Sequence, residues 1–195
     1  MTFDIVSIAN PVSRPTATLN LTNNTIRRIF NDDAITLESN SGGAVTMNIT
    51  NNTIQDVQSV AVGGNDGIDL EFTTTALNPA KAVVTIANNQ ILQISDRPIE
   101  IDANNNAQLQ LTISNNTIST TAASAGESIR VRSENAATLT TTINNNRLTQ
   151  GNPTVRSLEA RADDTSRLCA NIFQNTQVSG SGFTLRPDDA GVIPN

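Results

Sequence analysis

Thr18-Leu-Asn-Leu-Thr-Asn-Asn-Thr-Ile26 is the stretch on which the fold turns. Its apolar and polar residues alternate with a period of two, the pattern of a half-buried strand, so Leu19 and Leu21 are expected to point inward and Thr18, Asn20 and Thr22 outward. The Asn pair that follows suits a sharp bend, because asparagine tolerates the left-handed backbone region and its amide can bond nearby backbone. Ile26 then restarts an inward position on a new strand. The tetrapeptide Asn-Asn-Thr-Ile stands at Asn23–Ile26, Asn51–Ile54 and Asn115–Ile118, with variants at Asn88–Ile91 and Asn145–Leu148. Successive first asparagines are 28, 37, 27 and 30 residues apart. Such a period marks a solenoid, in which each repeat is one coil and neighbouring coils bury each other's apolar face.

The strand before each bend repeats its inward pair as Met47 and Ile49, Val84 and Ile86, Leu111 and Ile113, then Ile143. After the bend, Ile26, Ile54, Ile91, Ile118 and Leu148 form another inward column. A further strand recurs half a coil away, as Ile35-Thr-Leu-Glu38, Ile68-Asp-Leu-Glu71, Ile99-Glu-Ile-Asp102, Ile129-Arg-Val-Arg132, Leu158-Glu-Ala-Arg161 and Phe183-Thr-Leu-Arg186. Phe3-Asp-Ile-Val6 fits the same frame, with Phe3 in the place of Ile35. Each coil thus carries three parallel strands. The fold expected is an all-β parallel β-helix of six to seven coils of roughly 30 residues, one domain over 1–195, with an irregular tail from 187 to 195. An Asn ladder is expected at one corner: Asn24, Asn52, Asn89, Asn116 and Asn146.

Composition agrees. Asn and Thr number 26 each among 195 residues, there is no Trp, Tyr or His, and only five Phe. That profile suits turns and exposed strand faces over a core of Ile, Val and Leu rather than long helices. The net charge of −6 disfavours a phosphate-backbone partner, so no nucleic acid is expected. Cys169 is the one cysteine, which rules out an intrachain disulfide. No apolar run is long enough to span a membrane, so no insertion is expected. The start Met-Thr-Phe-Asp-Ile lacks the features of a secretory signal, which leaves either a cytoplasmic chain or the remainder after a removed N-terminal region.

The repeated Asn-Asn-Thr-Ile behind alternating aliphatics, with its Asn ladder, resembles the right-handed parallel β-helix of the pectate-lyase-like superfamily, over nearly the whole chain from Phe3 to Arg186. The closing stretch, Leu168-Cys-Ala-Asn-Ile-Phe-Gln-Asn-Thr through Phe183 to Asn195, resembles repeat regions of large secreted bacterial surface proteins, where the Asn motif degrades to Asn175-Thr-Gln-Val178. The resemblance implies an extracellular or cell-surface location. It leaves the activity open, because this fold serves lyases, hydrolases, phage tailspikes and adhesins.

In the pectate-lyase-like family, catalytic groups gather on one sheet face, which the resemblance assigns to the charged strand. With coils about 4.8 Å apart, its outward residues should stack. Glu38, Glu71, Asp102, Arg132, Arg161 and Arg186 form one column; Asp69, Glu100, Arg130 and Glu159 lie beside it. Carboxylates there suit a divalent cation and arginines suit a uronate carboxylate. Paired carboxylates also suit glycoside hydrolysis, and a solvated charged face without a ligand is the plainest reading. Nothing marks catalytic residues: there is no His for a polygalacturonase-like site and no Trp or Tyr platform for a sugar ring. Gly63-Gly-Asn-Asp-Gly-Ile-Asp-Leu70 resembles a Ca²⁺-binding nonapeptide, with Asp66 and Asp69 as ligands, but it occurs once where that fold needs tandem copies, and reads rather as a Gly-rich turn entering a strand. No other cofactor is implied. The Asn-x-Thr triplets, such as Asn20-Leu-Thr22 and Asn48-Ile-Thr50, follow from the repeat and read as turn chemistry rather than glycan acceptors. Thr85, Thr112, Thr140 and Thr142 make a partial threonine array, a minor argument for ice binding that Asn20, Asn48, Val83 and Gln110 interrupt. Longer loops at Thr73–Lys81 and Ser119–Glu127 are where partners would meet the solenoid.

Strand grammar begins at residue 3, and no amphipathic helix pattern flanks it. Exposed coil ends would therefore stack on a second copy or on further coils of a longer chain. The function expected is a non-catalytic extracellular module, rigid and structural or adhesive, or assembling end to end. The alternative is a domain that binds or degrades polysaccharide through the charged face, with extracellular glycans as partners.

Overall fold

The computed structural model describes residues 2–5, 16–39, 43–59, 64–74, 81–187 and 193–194. They form twenty strands in three parallel sheets and no helix. Sheet A holds β1 (Thr2–Ile5), β4 (Ile35–Ser39), β7 (Ile68–Thr73), β10 (Ile99–Asn104), β13 (Ile129–Ser133), β16 (Leu158–Ala162) and β19 (Phe183–Pro187). Sheet B holds β2 (Thr16–Thr22), β5 (Ala44–Thr50), β8 (Lys81–Ala87), β11 (Gln108–Ser114), β14 (Thr138–Asn144), β17 (Arg167–Phe173) and β20 (Ile193–Pro194). Sheet C holds β3 (Thr25–Phe30), β6 (Thr53–Gln58), β9 (Gln90–Ile94), β12 (Thr117–Thr120), β15 (Arg147–Thr149) and β18 (Thr176–Ser179). The chain visits A, B and C in turn, which is the parallel β-solenoid the repeat predicts. About five turns are formed, slightly fewer than the six to seven coils expected.

From β2 onward the inward columns predicted from the sequence are in register. Leu21, Ile49, Ile86, Ile113, Ile143 and Ile172 line up in sheet B. Ile26, Ile54, Ile91, Ile118 and Leu148 do so in sheet C. In sheet A, Ile35, Ile68, Ile99, Ile129 and Leu158 align and are all fully buried. Each such side chain contributes about 1.5–3 kcal/mol on leaving water. Sheet A begins with a correction: Phe3 pairs with Leu37, not Ile35. The slip is of two residues, so the strand keeps its faces. Within the tail, Ile193–Pro194 pair with Cys169–Ala170, and residues 188–192 and 195 lie outside the described residues. Val6, Gly63 and most of the Thr73–Lys81 loop lie outside the described residues, as does the stretch Asn10-Pro-Val-Ser-Arg-Pro15, whose prolines read as a long turn.

One inward position of sheet B breaks the apolar rule. Thr141 stands in line with Leu111 and Ala170, is 1% exposed, and its hydroxyl has no hydrogen-bond partner. Valine has nearly the same shape without the buried hydroxyl, so Thr141→Val is expected to stabilise the fold by about 1 kcal/mol. Urea denaturation measures this, and a loss of stability would mean that the hydroxyl has a partner after all.

The corners are built from left-handed residues. Between sheets B and C the first residue of each pair adopts positive φ: 59° at Asn23, 58° at Asn51 and Asn88, 57° at Asn115 and 56° at Asn145. Gln174 takes the same role at 55°. The second residue is the ladder. Asn24, Asn52, Asn89, Asn116 and Asn146 are joined by Asn175, a sixth member where the sequence motif looks degraded. In each rung the backbone N–H and side-chain amide of one asparagine donate to Oδ1 of the next, at 2.8–3.0 Å in the Asn52–Asn89 pair. The second amide hydrogen of that next residue donates back to a carbonyl of the previous coil, as Asn89 does to Ile49 O at 2.8 Å. Asn52, Asn89, Asn116 and Asn146 are all buried.

Candidate functional site: the charged face of sheet A

Outward residues of sheet A stack in the columns that the spacing predicts. Glu38, Glu71, Asp102, Arg132, Arg161 and Arg186 follow one another in register. Beside them run Thr36, Asp69, Glu100, Arg130, Glu159 and Thr184. A third column, of which only Asp66 was singled out from sequence, sits at the corner two residues before each strand: Asp33, Asp66, Arg97, Glu127 and Arg156. Their signal was a constant offset from the first inward residue of each strand, hidden because the residue type changes from coil to coil. The corner is itself a short ladder: Asp33 Oδ1 accepts the Asp66 N–H at 2.7 Å, and Asp66 Oδ1 accepts the Arg97 N–H at 2.8 Å.

The face divides by charge along the solenoid axis. Towards the C-terminal coils nearly every charge has a counterpart. Arg132 grips Asp102 with two bonds, Nε to Oδ1 at 3.0 Å and Nη2 to Oδ2 at 2.8 Å, and reaches Glu134 at 2.6 Å. Arg130 pairs with Glu100 and lies 3.8 Å from Asp102. Arg97 bridges Asp96 at 3.0 Å, Glu100 at 3.1 Å and Glu127 at 3.3 Å. Glu159 accepts from Arg156 at 3.0 Å and lies 3.3 Å from Arg186 as an ion pair, and Arg161 holds Asp163 at 2.6 Å. Ion pairs this enclosed resist solvent screening, and two-point arginine–carboxylate contacts add geometric definition. Burial works against the charged form of Arg97 and Arg132. Neighbouring carboxylates outweigh it and raise both above the usual arginine range, Glu100 and Asp96 chiefly at Arg97, and Asp102 at Arg132.

Towards the N-terminal coils, among the described residues, no arginine side chain pairs with the carboxylates of this face. Among the described residues, Glu38, Asp69 and Glu71 make no ion pair; Glu71 accepts only the Thr73 hydroxyl, at 2.9 Å. Burial first, then the negative charges of Glu100, Asp33, Asp102 and Glu71, push the Asp69 carboxyl up to about 7. Asp66 is raised by burial and by its hydrogen-bonded neighbour Glu100. Asp33 and Asp96 are raised too, again with burial as the leading cause. These four acids therefore hold protons more tightly than a free aspartate.

Chemically, this arrangement has ion-paired arginines at one end and proton-holding acids at the other. All ten of the ligand-binding residues expected from sequence share one sheet face, and Asp69 and Glu100 are direct cross-strand neighbours. Among the described residues, no group of three or more His, Cys, Asp or Glu has an arrangement that could hold a metal ion. The loop after Ser119 is anchored by Ser124 Oγ donating to Asp96 O at 2.8 Å and Gln150 Nε2 donating to Gly126 O at 2.8 Å, while Ala122, Ala123 and Ala125 are exposed. On sheet B, Thr85, Thr112 and Thr142 line up outward, while Lys81, Val83, Gln108, Gln110, Thr138 and Thr140 border a shallow groove of about 340 Å³. Comparison of the chain with protein-family models, with curated proteins and with solved structures found no match.

Proposed function

We propose that this chain is a non-catalytic β-solenoid module, a rigid structural or adhesive element working at the cell surface, of the kind found in repeat regions of secreted bacterial proteins with a pectate-lyase-like helix. The observation that carries this reading is the state of the charged face. Its arginines are already engaged by neighbouring carboxylates, so they stiffen one coil against the next instead of presenting cations to a substrate. Interlocked charges and a continuous ladder suit a part whose task is to keep its shape.

One feature favours the rival reading, a polysaccharide-binding or polysaccharide-degrading domain. Asp69 and Glu100 are adjacent, and Asp69 is poised to exchange a proton near neutrality, as a general acid must. A glycan array and a turnover assay on uronate polymers, with and without Ca²⁺, decide between the two. The expected outcome is no turnover of any polymer by the wild-type chain. Cleavage that disappears in Glu71→Ala or Asp102→Ala would overturn the structural reading.

A further inference from the structure

Sheet B is the counterpart of sheet A in charge. None of the chain's 18 acidic residues lies on a strand of sheet B, although the net charge is −6. Its strands carry two cations instead, Lys81 on β8 and Arg167 on β17, and both are exposed. They stand in one column of Lys81, Gln108, Thr138 and Arg167, whose ends lie three coil spacings, about 14 Å, apart. On sheet A the arginines are held by carboxylates. Neither Lys81 nor Arg167 makes an ion pair among the described residues.

The polar groups between the two cations are uncommitted as well. Gln108, Gln110, Thr138 and Thr140 are exposed, and among the described residues their side chains make no hydrogen bond. With Lys81 and Val83 they border the groove of about 340 Å³. The strands that build it, β8, β11 and β14, each have a paired neighbour on both sides, so the groove belongs to the body of the sheet.

We propose that this face binds a linear, mostly neutral glycan lying along the solenoid axis, with an anionic substituent on about one sugar in three. Charge selects the sign: an acid-free face with two unpaired cations is where an otherwise acidic chain draws an anion and repels it least. Spacing selects the polymer. A pyranose is about as long as one coil spacing, so successive sugars meet equivalent side chains on successive coils. An extended peptide advances about 3.3 Å per residue and falls out of step with coils about 4.8 Å apart. The intervening Gln and Thr side chains both donate and accept, which suits sugar hydroxyls. Val83, 47% exposed, adds an apolar facet for the C–H face of a ring. A polymer charged at every sugar fits less well, because Gln108 and Thr138 would meet two of its charges with neutral groups. Carboxylate, sulfate and phosphate substituents all meet this description.

This inference rests on the adhesive reading above, to which it gives a face and a partner. The probes are cello-oligosaccharides carboxymethylated, or sulfated, on about one sugar in three, with the unmodified oligomer, oligogalacturonate and a polyglutamate peptide beside them. Each is titrated into the isotopically labelled full chain and followed by NMR. Lys81 is the only lysine, so its side-chain signal is unambiguous. A sparsely charged oligomer is expected to give saturable shifts at Lys81, Gln108, Gln110, Thr138, Thr140 and Arg167, and the tighter of the two charged forms identifies the anion. Lys81→Gln and Arg167→Gln should each weaken binding about three- to fivefold, as loss of an exposed ion pair does. Arg147→Gln, on sheet C, should leave it unchanged. The proposal is overturned by an absence of saturable shifts, by shifts on sheet A in place of sheet B, or by equal binding of the unmodified oligomer. Tighter binding of oligogalacturonate or polyglutamate, or an equal loss in Arg147→Gln, overturns it too. Turnover in the uronate assay would sink the structural reading and leave the sheet B shifts standing, whereas silence on sheet B sinks this inference and leaves the structural reading intact.

Discussion

Replacing Asn116 by alanine is expected to destabilise the solenoid by about 3–5 kcal/mol, a large part of the stability of a typical domain. Asn116 is 1% exposed, and both ends of its amide are in use. Oδ1 accepts the Asn89 N–H at 2.9 Å and the Asn89 amide at 3.0 Å; Nδ2 donates to Ile86 O and to Asn146 Oδ1, both at 2.9 Å. Alanine strands the two Asn89 donors and the Ile86 carbonyl in a corner closed to water. Each orphaned group costs about 1–3 kcal/mol. Asn24→Ala supplies the contrast. That residue is exposed at the first rung, so water replaces what is lost and the cost should stay below about 1 kcal/mol. Equilibrium urea unfolding of both variants measures the difference. Equal costs would show that the ladder is not what holds the coils in step.

Stability should fall as pH rises from about 4 to about 7, the opposite of what paired carboxylates produce. Unfolded, Asp69 ionises at its ordinary value of 3.8; folded, it holds its proton up to about 7. Between those values the folded state binds more protons than the unfolded state, so each step up in pH favours unfolding. Below the ordinary value the contribution is complete, and above about 7 it is gone. Asp33, Asp66 and Asp96 shift in the same direction and reinforce the trend. Asp69→Asn should flatten this dependence and stabilise the protein at pH 8 by about 1–2 kcal/mol, once solvent screening of this half-buried group is allowed for, with little effect at pH 4. Thermal melts across that range test it. A melting temperature that is flat or rises from pH 4 to pH 7 would mean the N-terminal acids are satisfied in some other way.

How much of this was legible beforehand depends on whether a residue type repeats with its position. Ile54, Ile91 and Ile118 recur as one residue type at one offset from the Asn pair, so their column could be read directly, and Glu38 to Arg186 followed from the same frame. The corner acids and arginines could not be read that way. Asp33, Arg97, Glu127 and Arg156 occupy equivalent places, but what the position requires is a side chain able to meet the neighbouring coil, and either sign of charge serves. Asn175 was obscured for a related reason. The bend before it needs positive φ, and Gln174 adopts this conformation even though its sequence departs from the motif. The left-handed residues Arg28, Asp56 and Gln93, with φ of 58–59°, lie inside β3, β6 and β9 and left no pattern to find. Their series stops where pairing shifts between Ile118 and Thr120.

The asparagine rungs all face the same way and are interchangeable. A cut placed between two equivalent asparagines leaves an acceptor on one side and a donor on the other, and these match any other such cut. As far as this corner is concerned, a whole coil can therefore be duplicated or deleted without new chemistry, changing the length of the rod in increments of about 4.8 Å. Seen this way the molecule is a ruler, and its asparagines are the graduations.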